Sequence, residues 1–509
     1  MSRPMRMGAA AAVVSASVLV SRLLGLGREA LLASLIGVNS DGDLYRQAFA
    51  IPDFLNYLLA GAYLTITLIP ILSRHLERGQ EEKASQAFTA VFRFVGWAVL
   101  GLTLVMWLAA DPLVSLIFPE ASDHDRLVSL TRLVLPAQVF LVMGALLMAV
   151  QYTHRRFLYP AFAPLIYNIG IIVGGLIGAA VGEPSPESFL WGAVAGSAVG
   201  NFGLQWVGAR STGTWLTRVP AGDPSVKEYL ILALPLMLGQ SIAVLDEQFV
   251  RWFGQVEEGA TAALSFARQL NMVPVGVIAQ AAGVAAFPFL ARLAAAGDEE
   301  GLTGTTVRAA RNTVFVAAAA TAALVVLARP LVRVLYQYGE FGADDAELVA
   351  GLLVLYAFSI PAWGLHQILS RHFYAKRRMW TVVLIGTAGT IVAIPIWLGL
   401  YEVMGVEGFA LASTLVMTAY AIALLVAWGL DTGWGPIRLL LPSLARGLTA
   451  AAAAVLVSYP LVNAMFDDEL SVLGGLGAAV LGLMTTIAAF LGVSYLLRAP
   501  ELAELRRSR

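Results

Sequence analysis

Long apolar stretches free of Asp, Glu, Lys and Arg recur along the whole chain, separated by short polar connections. Thirteen are clean: 54–73, 94–110, 133–153, 157–182, 188–209, 229–245, 269–291, 312–328, 348–370, 379–401, 408–430, 447–466 and 471–497. Each is near the roughly 20 residues a helix needs to cross the hydrocarbon of a bilayer. A fourteenth stretch, 8–37, is interrupted by Arg22, Gly25, Gly27, Arg28 and Glu29 before its apolar character resumes. The pattern predicts an all-α polytopic membrane protein with 14 transmembrane helices.

An even number of spans places both termini on one side, and the basic residues test that count. Starting inside, alternate connections carry Arg74, Arg78 and Lys83, then Arg155 and Arg156, then Arg371, Lys376, Arg377 and Arg378, and finally the Arg-rich carboxyl tail. The opposite connections collect acids such as Asp41, Asp111, Glu120, Glu183, Glu187, Asp344, Asp467 and Asp468. A miscounted helix would invert this asymmetry, so both ends are expected in the cytoplasm.

Two basic connections return in the second half of the chain, in the same order. Pro70-Ile71-Leu72-Ser73-Arg74 matches Pro288-Phe289-Leu290-Ala291-Arg292, and Tyr152 to Arg156 matches Tyr374 to Arg378, at nearly the same offset. Repeats of this kind are how many transporters are built. They predict a first lobe of six helices over 1–210, a cytoplasmic linker over 211–225 and a second six-helix lobe over 226–430. Residues 431–509 then add two further helices and a basic tail.

Composition agrees with a bilayer protein: 58% of residues are hydrophobic and only 13% are charged. A formal net charge of −1 offers no field for a nucleic acid. With no cysteine and five His, none in a metal-binding spacing, thiol and HExxH-type chemistry are excluded. No Walker sequence is present, so the chain reads as a non-enzyme whose uphill step would draw on an ion gradient or the membrane potential.

Charges inside spans cost about 2.5–3.5 kcal/mol each and tend to face a wet cavity or a partner. Arg22 lies well beyond Arg6 along the first span, roughly 24 Å at helical rise, and a cavity role competes with a buried pair. Arg28 is a substrate contact or the partner of Glu29, and the two arginines share a cavity only where Gly25 and Gly27 loosen the helix. Asp43, Arg46, Ala50, Asp53 and Asn56 follow spacings of one helical face, around Pro52. Asp43 and Arg46 could also neutralise each other. Further on, Asp246-Glu247 and Arg268-Gln269 form a polar layer in the second lobe, with Asp246 a candidate for a coupling Na⁺ or the outer water interface. Arg93, Arg132 and Arg446 read as anchors near span ends. Arginines around a cleft suit phosphate oxygens, so the cargo is expected to be an anion whose tail could stay in lipid.

Several strings carry a resemblance. SRLLGLGREALLASLIG (Ser21 to Gly37), FAIPDF (Phe49 to Phe54), PAFAPLIYNIG (Pro160 to Gly170), LYQYGEF (Leu335 to Phe341) and HFYAKRRMWT (His372 to Thr381) resemble the MurJ/MviN lipid II flippases of the MOP exporter superfamily. The resemblance implies a MATE-like pair of lobes plus two carboxyl-terminal helices in a bacterial inner membrane. It implies outward transfer of lipid II, an undecaprenyl-pyrophosphate-linked peptidoglycan precursor, by alternating access linked to Na⁺ or membrane potential. Arg22, Arg28 and Asp43 fall on the family's cavity positions, and Glu29 stands where an acid normally follows the second arginine. Cell-wall synthesis proteins are possible partners.

The match has departures. Asn56 and Tyr57 stand where the family usually has a basic pair, and the family's arginine of the eighth helix registers with Gln269, one position from Arg268. Asp246 matches a position associated with Na⁺, but residues 379–401 supply no acidic partner. Export of another lipid-linked oligosaccharide and a non-transporting membrane scaffold of envelope synthesis are the alternatives.

Overall fold

The computed structural model describes residues 7–59, 64–220, 222–238, 242–465 and 472–502. Among them helices dominate and no strand occurs, as the apolar pattern requires: hydrocarbon offers no water to a backbone amide, so each span must pair its own. Among the described residues eight helices or helix runs are long and apolar enough to cross a membrane. One of these, Met379–Thr432, is two helices joined at Gly405, whose φ of +59° breaks the helix between the expected spans 379–401 and 408–430. Large apolar side chains lie on the surface, Trp97 at 76% exposed and Val403 at 80% among them. Water would not tolerate so many, whereas lipid does.

By its contacts the chain divides into two units, one formed by 1–240 with 254–262 and 338–341, the other by 241–253, 263–337 and 342–509. The division differs from that expected from helix count. Residues 211–225 and the helix after them stay with the first unit, because α12 (Pro224–Leu238) packs on α4 (Leu64–Glu77) and α5 (Glu81–Leu108). The two carboxyl-terminal helices are part of the second unit.

In the first unit α1 (Met7–Leu35) runs without a break through Gly25 and Gly27, so the loosening on which a cavity shared by Arg22 and Arg28 depends does not occur. Short helices α2 (Ser40–Gln47) and α3 (Ala50–Leu58) precede α4, and α6 (Ala110–Ile117), α7 (His124–Val134) and α8 (Ala137–Thr153) follow α5. α9 (Leu158–Val181) packs against both α1 and α10 (Pro186–Gly196), which continues through a π-helical turn into α11 (Leu204–Arg210). α9 and α10 meet along small residues at four-residue spacing, Gly170 and Gly174 against Gly192 and Gly196, and Gly178 against Ser188. A methyl group on Gly192 would lie 2.3 Å from the Gly170 carbonyl oxygen. This is the small-residue approach by which helices gain packing where lipid offers no hydrophobic drive.

In the second unit α13 (Ile242–Phe253), α14 (Ala260–Pro274, which joins this unit from 263) and α15 (Ala281–Ala296) lead to α16 (Glu299–Tyr336), the central element. Around α16 pack α17 (Ala343–Ala357), α18 (Ile360–Ala375), α20 (Gly435–Met465) and α21 (Val472–Leu496), while α19 (Met379–Thr432) covers α17 and α18. Phe315, Ala318 and Ala322 of α16 meet Ala450, Ala451 and Ala454 of α20 and Phe490 of α21 in one buried cluster. Glu501, fully buried beyond α21, binds Arg311 at 3.0 Å and accepts a hydrogen bond from Ser443, tying the chain end to α16 and α20.

The two basic connections that repeat in sequence also repeat in conformation. Arg155 and Arg377, equivalent positions of the repeat, have φ of +55° and +58° and close α8 and α18 in the same way. The Arg155 and Arg377 amides bond to the Tyr152 and Tyr374 carbonyls, and the next amides reach Gln151 and Phe373. Arg498 repeats the arrangement after Tyr495 at the end of α21, with φ of +51°. These are Schellman closures in which arginine takes the left-handed position usually held by glycine. The cost of that backbone, roughly 1–2 kcal/mol, is offset in part by a cation beside the helix carboxyl end.

The glycine contact yields a controlled prediction. Gly192→Val should destabilise the protein by about 3 kcal/mol and lower its apparent melting temperature in detergent. Gly101→Val, where nothing lies within 4 Å of an added Cβ, should not. Equal melting temperatures would show that the α9–α10 approach does not need glycine.

Candidate substrate-binding site

Glu29 is the centre of the first unit's polar cluster. It lies on α1 with its side chain 4% exposed, and its two oxygens hold two arginines: Arg28 beside it and Arg46 of α2 at 2.9 Å. Arg28 donates also to Asn168 Oδ1 at 3.1 Å. Asn168 is oriented in turn, its amide donating to the Pro164 carbonyl of α9 at 2.9 Å and facing Ser21 Oγ at 3.4 Å. The Arg28 Nε is buried without a hydrogen-bond acceptor among the described residues. Tyr45 and Tyr167 lie within electrostatic reach of Arg28, and Asp53 within reach of Tyr167.

Arg28 and Arg46 thus share the Glu29 carboxylate in a place largely shut off from water, with the Asp43 carboxylate also within electrostatic reach of Arg46. A third cation, Arg22, is half-buried on α1 with no carboxylate partner among the described residues. On a continuous helix, the spacing from Arg22 to Arg28 turns them about 240° apart, so they do not form one claw. Of its two expected roles Arg28 has the pairing with Glu29, and it keeps a donor unused.

The expected polar stripe of the second helix is not one face. The helix breaks at Ala48 and Phe49, before Pro52, which has no N–H to give the Ala48 carbonyl. Arg46 therefore sits on α2, and Asp53 and Asn56 on α3. Asn56 donates to Gln138 of α8 at 3.0 Å, and Asp53 is half-buried. Asp43, expected in the cavity, has both oxygens occupied by backbone amides, those of Gly259 at 2.7 Å and Ala262 at 2.8 Å. It serves as a buried cap for a helix start, a bond of the charge-assisted kind. α2 is held at its other end by Arg126, which binds Asp41 at 2.6 Å and grips Glu187 through two nitrogens, the closer at 2.9 Å.

The second unit holds a related arrangement. Glu247 of α13 accepts from Arg251 at 2.9 Å and faces Arg268 of α14 at 3.5 Å. Gln269 is half-buried next to Arg268. The Asp246 side chain lies outside the described residues, so the Na⁺ candidate stands on sequence alone. Arg371 of α18, counted in sequence as one more basic loop residue, is half-buried over the rings of Phe287 and Tyr374, with no carboxylate partner among the described residues. Arg132, expected as an anchor, lies over the Trp107 ring and donates to its carbonyl.

A family model described as "Lipid II flippase MurJ" matches residues 32–480. The chain belongs to the MurJ family. A relative from Rhizobium meliloti named probable lipid II flippase MurJ is 25% identical over 98% of this chain and 95% of its own length. One from Burkholderia cenocepacia, named lipid II flippase MurJ, is 27% identical over 74% of this chain and 75% of its own. Among solved structures, a lipid II flippase MurJ in an inward closed conformation superposes with a TM-score of 0.75 at 20% identity, covering 94% of this chain and 98% of the other. An inward-facing MATE family transporter of the MOP superfamily gives 0.67 at 14% identity, covering 84% and 99%. The MATE-like, all-helical membrane fold expected from sequence is therefore the fold of this MurJ-family chain.

The Arg126 clamp carries a pH prediction. Its hydrogen bonds hold the Glu187 carboxyl below the ordinary carboxylate range, against the opposing effect of burial. A depressed folded-state value means stability that is present above the unfolded value of 4.5 and is lost as pH falls through the folded one. The apparent melting temperature should fall on acidification below about 4.5, and Arg126→Gln should flatten that fall. An unchanged acid profile in the variant would remove the clamp from the account.

Proposed function

We propose that this protein moves lipid II from the inner to the outer leaflet of a bacterial inner membrane by alternating access, with both termini in the cytoplasm. The observation that carries the reading is the Arg28–Glu29–Arg46 cluster: two guanidinium groups drawn together on one buried carboxylate, with the Arg28 Nε donor unused, in a chain of a family described as lipid II flippases. Guanidinium groups offer planar, permanently charged donors to diphosphate oxygens, and a tail of polyprenyl chemistry can remain in lipid. No step of this reading makes or breaks a covalent bond, so the chain acts as a transporter and not as an enzyme. The driving force is a Na⁺ gradient or the membrane potential.

One observation favours a second cargo. The amide of Asn56, where the resemblance leads one to look for a basic residue, is committed to Gln138, which thins the cationic set and suits a different lipid-linked oligosaccharide.

Headgroup accessibility decides the cargo. In cells depleted of this protein and lacking another flippase, lipid II should stay on the inner leaflet, and normal outer-leaflet arrival would overturn the reading. Arg28→Ala should abolish complementation at normal expression, with a binding loss of about 2–3 kcal/mol for a charge-assisted contact. Full complementation by that variant would point to the scaffold alternative.

A further inference from the structure

In the second unit α17 and α20 both pack on α16 but scarcely meet each other. A crevice of about 110 Å³ runs between them, with α16 as its floor. Its lining is small and apolar: Val326 and Ala328 of α16, Ala350, Gly351 and Val354 of α17, and Val462 of α20. A methyl group added to Gly351 would meet nothing within 4 Å, so the wall is open there. Spans gain by bringing small residues into close contact, yet these line a gap. A gap with such walls stays dry and accepts an apolar guest, and the guest at hand in a bilayer is a lipid chain.

One end of the crevice is polar. Arg329 of α16 donates through Nε to Glu347 of α17 at 2.6 Å, and Tyr459 and Asn463, one turn apart on α20, stand at the same rim. Arg329 directly follows the apolar stretch 312–328 and Glu347 directly precedes 348–370, so the pair marks the edge of the hydrocarbon. Tyrosine favours that depth. The two charged side chains are 45% and 62% exposed, and an ion pair so open contributes little to stability. It leaves both terminal nitrogens of Arg329 without an acceptor among the described residues, where the Tyr459 hydroxyl and the Asn463 amide are also without a partner.

We propose that this crevice binds one phosphatidylethanolamine molecule, with an acyl chain between α17 and α20, the phosphate on Arg329, Tyr459 and Asn463, and the ammonium on Glu347. Charge complementarity selects that lipid. The ion pair presents a cation and an anion side by side, and a zwitterionic headgroup presents the opposite charges a few bonds apart, so the two pair head to tail. An ammonium group has three N–H donors for a carboxylate, whereas the trimethylammonium of choline has none. A headgroup with phosphate alone would leave Glu347 facing a like charge. On the orientation proposed above, the lipid belongs to the outer leaflet. It fills a gap in the second unit whatever the cargo is.

The test uses the full chain, delipidated in detergent and titrated with dioleoyl phosphatidylethanolamine or dioleoyl phosphatidylcholine, with bound lipid counted by native mass spectrometry. Wild type should hold one phosphatidylethanolamine on the order of tenfold more tightly than phosphatidylcholine, the lower end of what a hydrogen bond to a charged group gives. Glu347→Gln should make the two lipids equal, and Arg329→Gln should weaken both. Equal affinities in wild type, or a preference that survives Glu347→Gln, overturns the proposal. So does displacement of the bound lipid by undecaprenyl phosphate, which would make the crevice a place for a polyprenyl tail. Should a charge variant fail to purify as a single species, Gly351→Phe puts a ring into the crevice: one phosphatidylethanolamine fewer than wild type supports the site, and the same number counts against it.

Discussion

A charge withdrawn from water has to be answered by another charge close by, and this chain answers it with single glutamates placed between arginines. Glu29 joins α1 to α2 through Arg46, and through Arg28 and Asn168 it joins both to α9. Glu247 does the same for α13 and α14. An isolated charge in a span costs about 2.5–3.5 kcal/mol on insertion scales, and removing one partner of a buried pair costs about 3–5 kcal/mol. The positions of the polar helices therefore depend on a few bonds.

Those bonds can act only because the surrounding helices are fixed by other means. α9, which presents Asn168 to Arg28, is set against α10 by contact between glycine backbones. α2, which presents Arg46, is fixed by the Arg126 clamp near its start and by Asp43, whose oxygens are occupied by the amides of Gly259 and Ala262. Packing by small residues and capping of backbone amides thus decide where the guanidinium groups stand. The charges then decide what can bind there.

The apolar pattern made the membrane fold legible, since every clean stretch has to hydrogen bond within itself. It also marked Arg22, Arg28, Glu29, Arg46 and Arg268 as residues needing an explanation. What it could not show were partners distant in sequence. Glu29 meets Arg46 across a turn, Arg28 meets Asn168 of a helix much further along the chain, and Asp43 finds its amides at Gly259 and Ala262. The stripe through Asn56 failed because spacing assumes an unbroken helix, and Pro52 removes the amide that would have kept it so. Two further signals stand in the sequence: the four-residue glycine spacing at Gly170 and Gly192, and the recurrence at Tyr495 of the Tyr-x-x-Arg ending of Tyr152 and Tyr374.

Stability alone does not account for the arginine clusters. Replacing a buried ion pair by apolar side chains of similar volume is often neutral or stabilising by about 1–4 kcal/mol, and a helix contact like that of α16 with α20 shows that alanine suffices to join spans here. A purely structural joint between α1 and α2 would be served as well by leucine. Nor would such a joint leave a guanidinium donor buried without an acceptor, as the Arg28 Nε is among the described residues. An arriving anion would supply that acceptor where water is scarce and Coulomb energies are large, which is the physical reason for proposing Arg28 as a place for the cargo's phosphates.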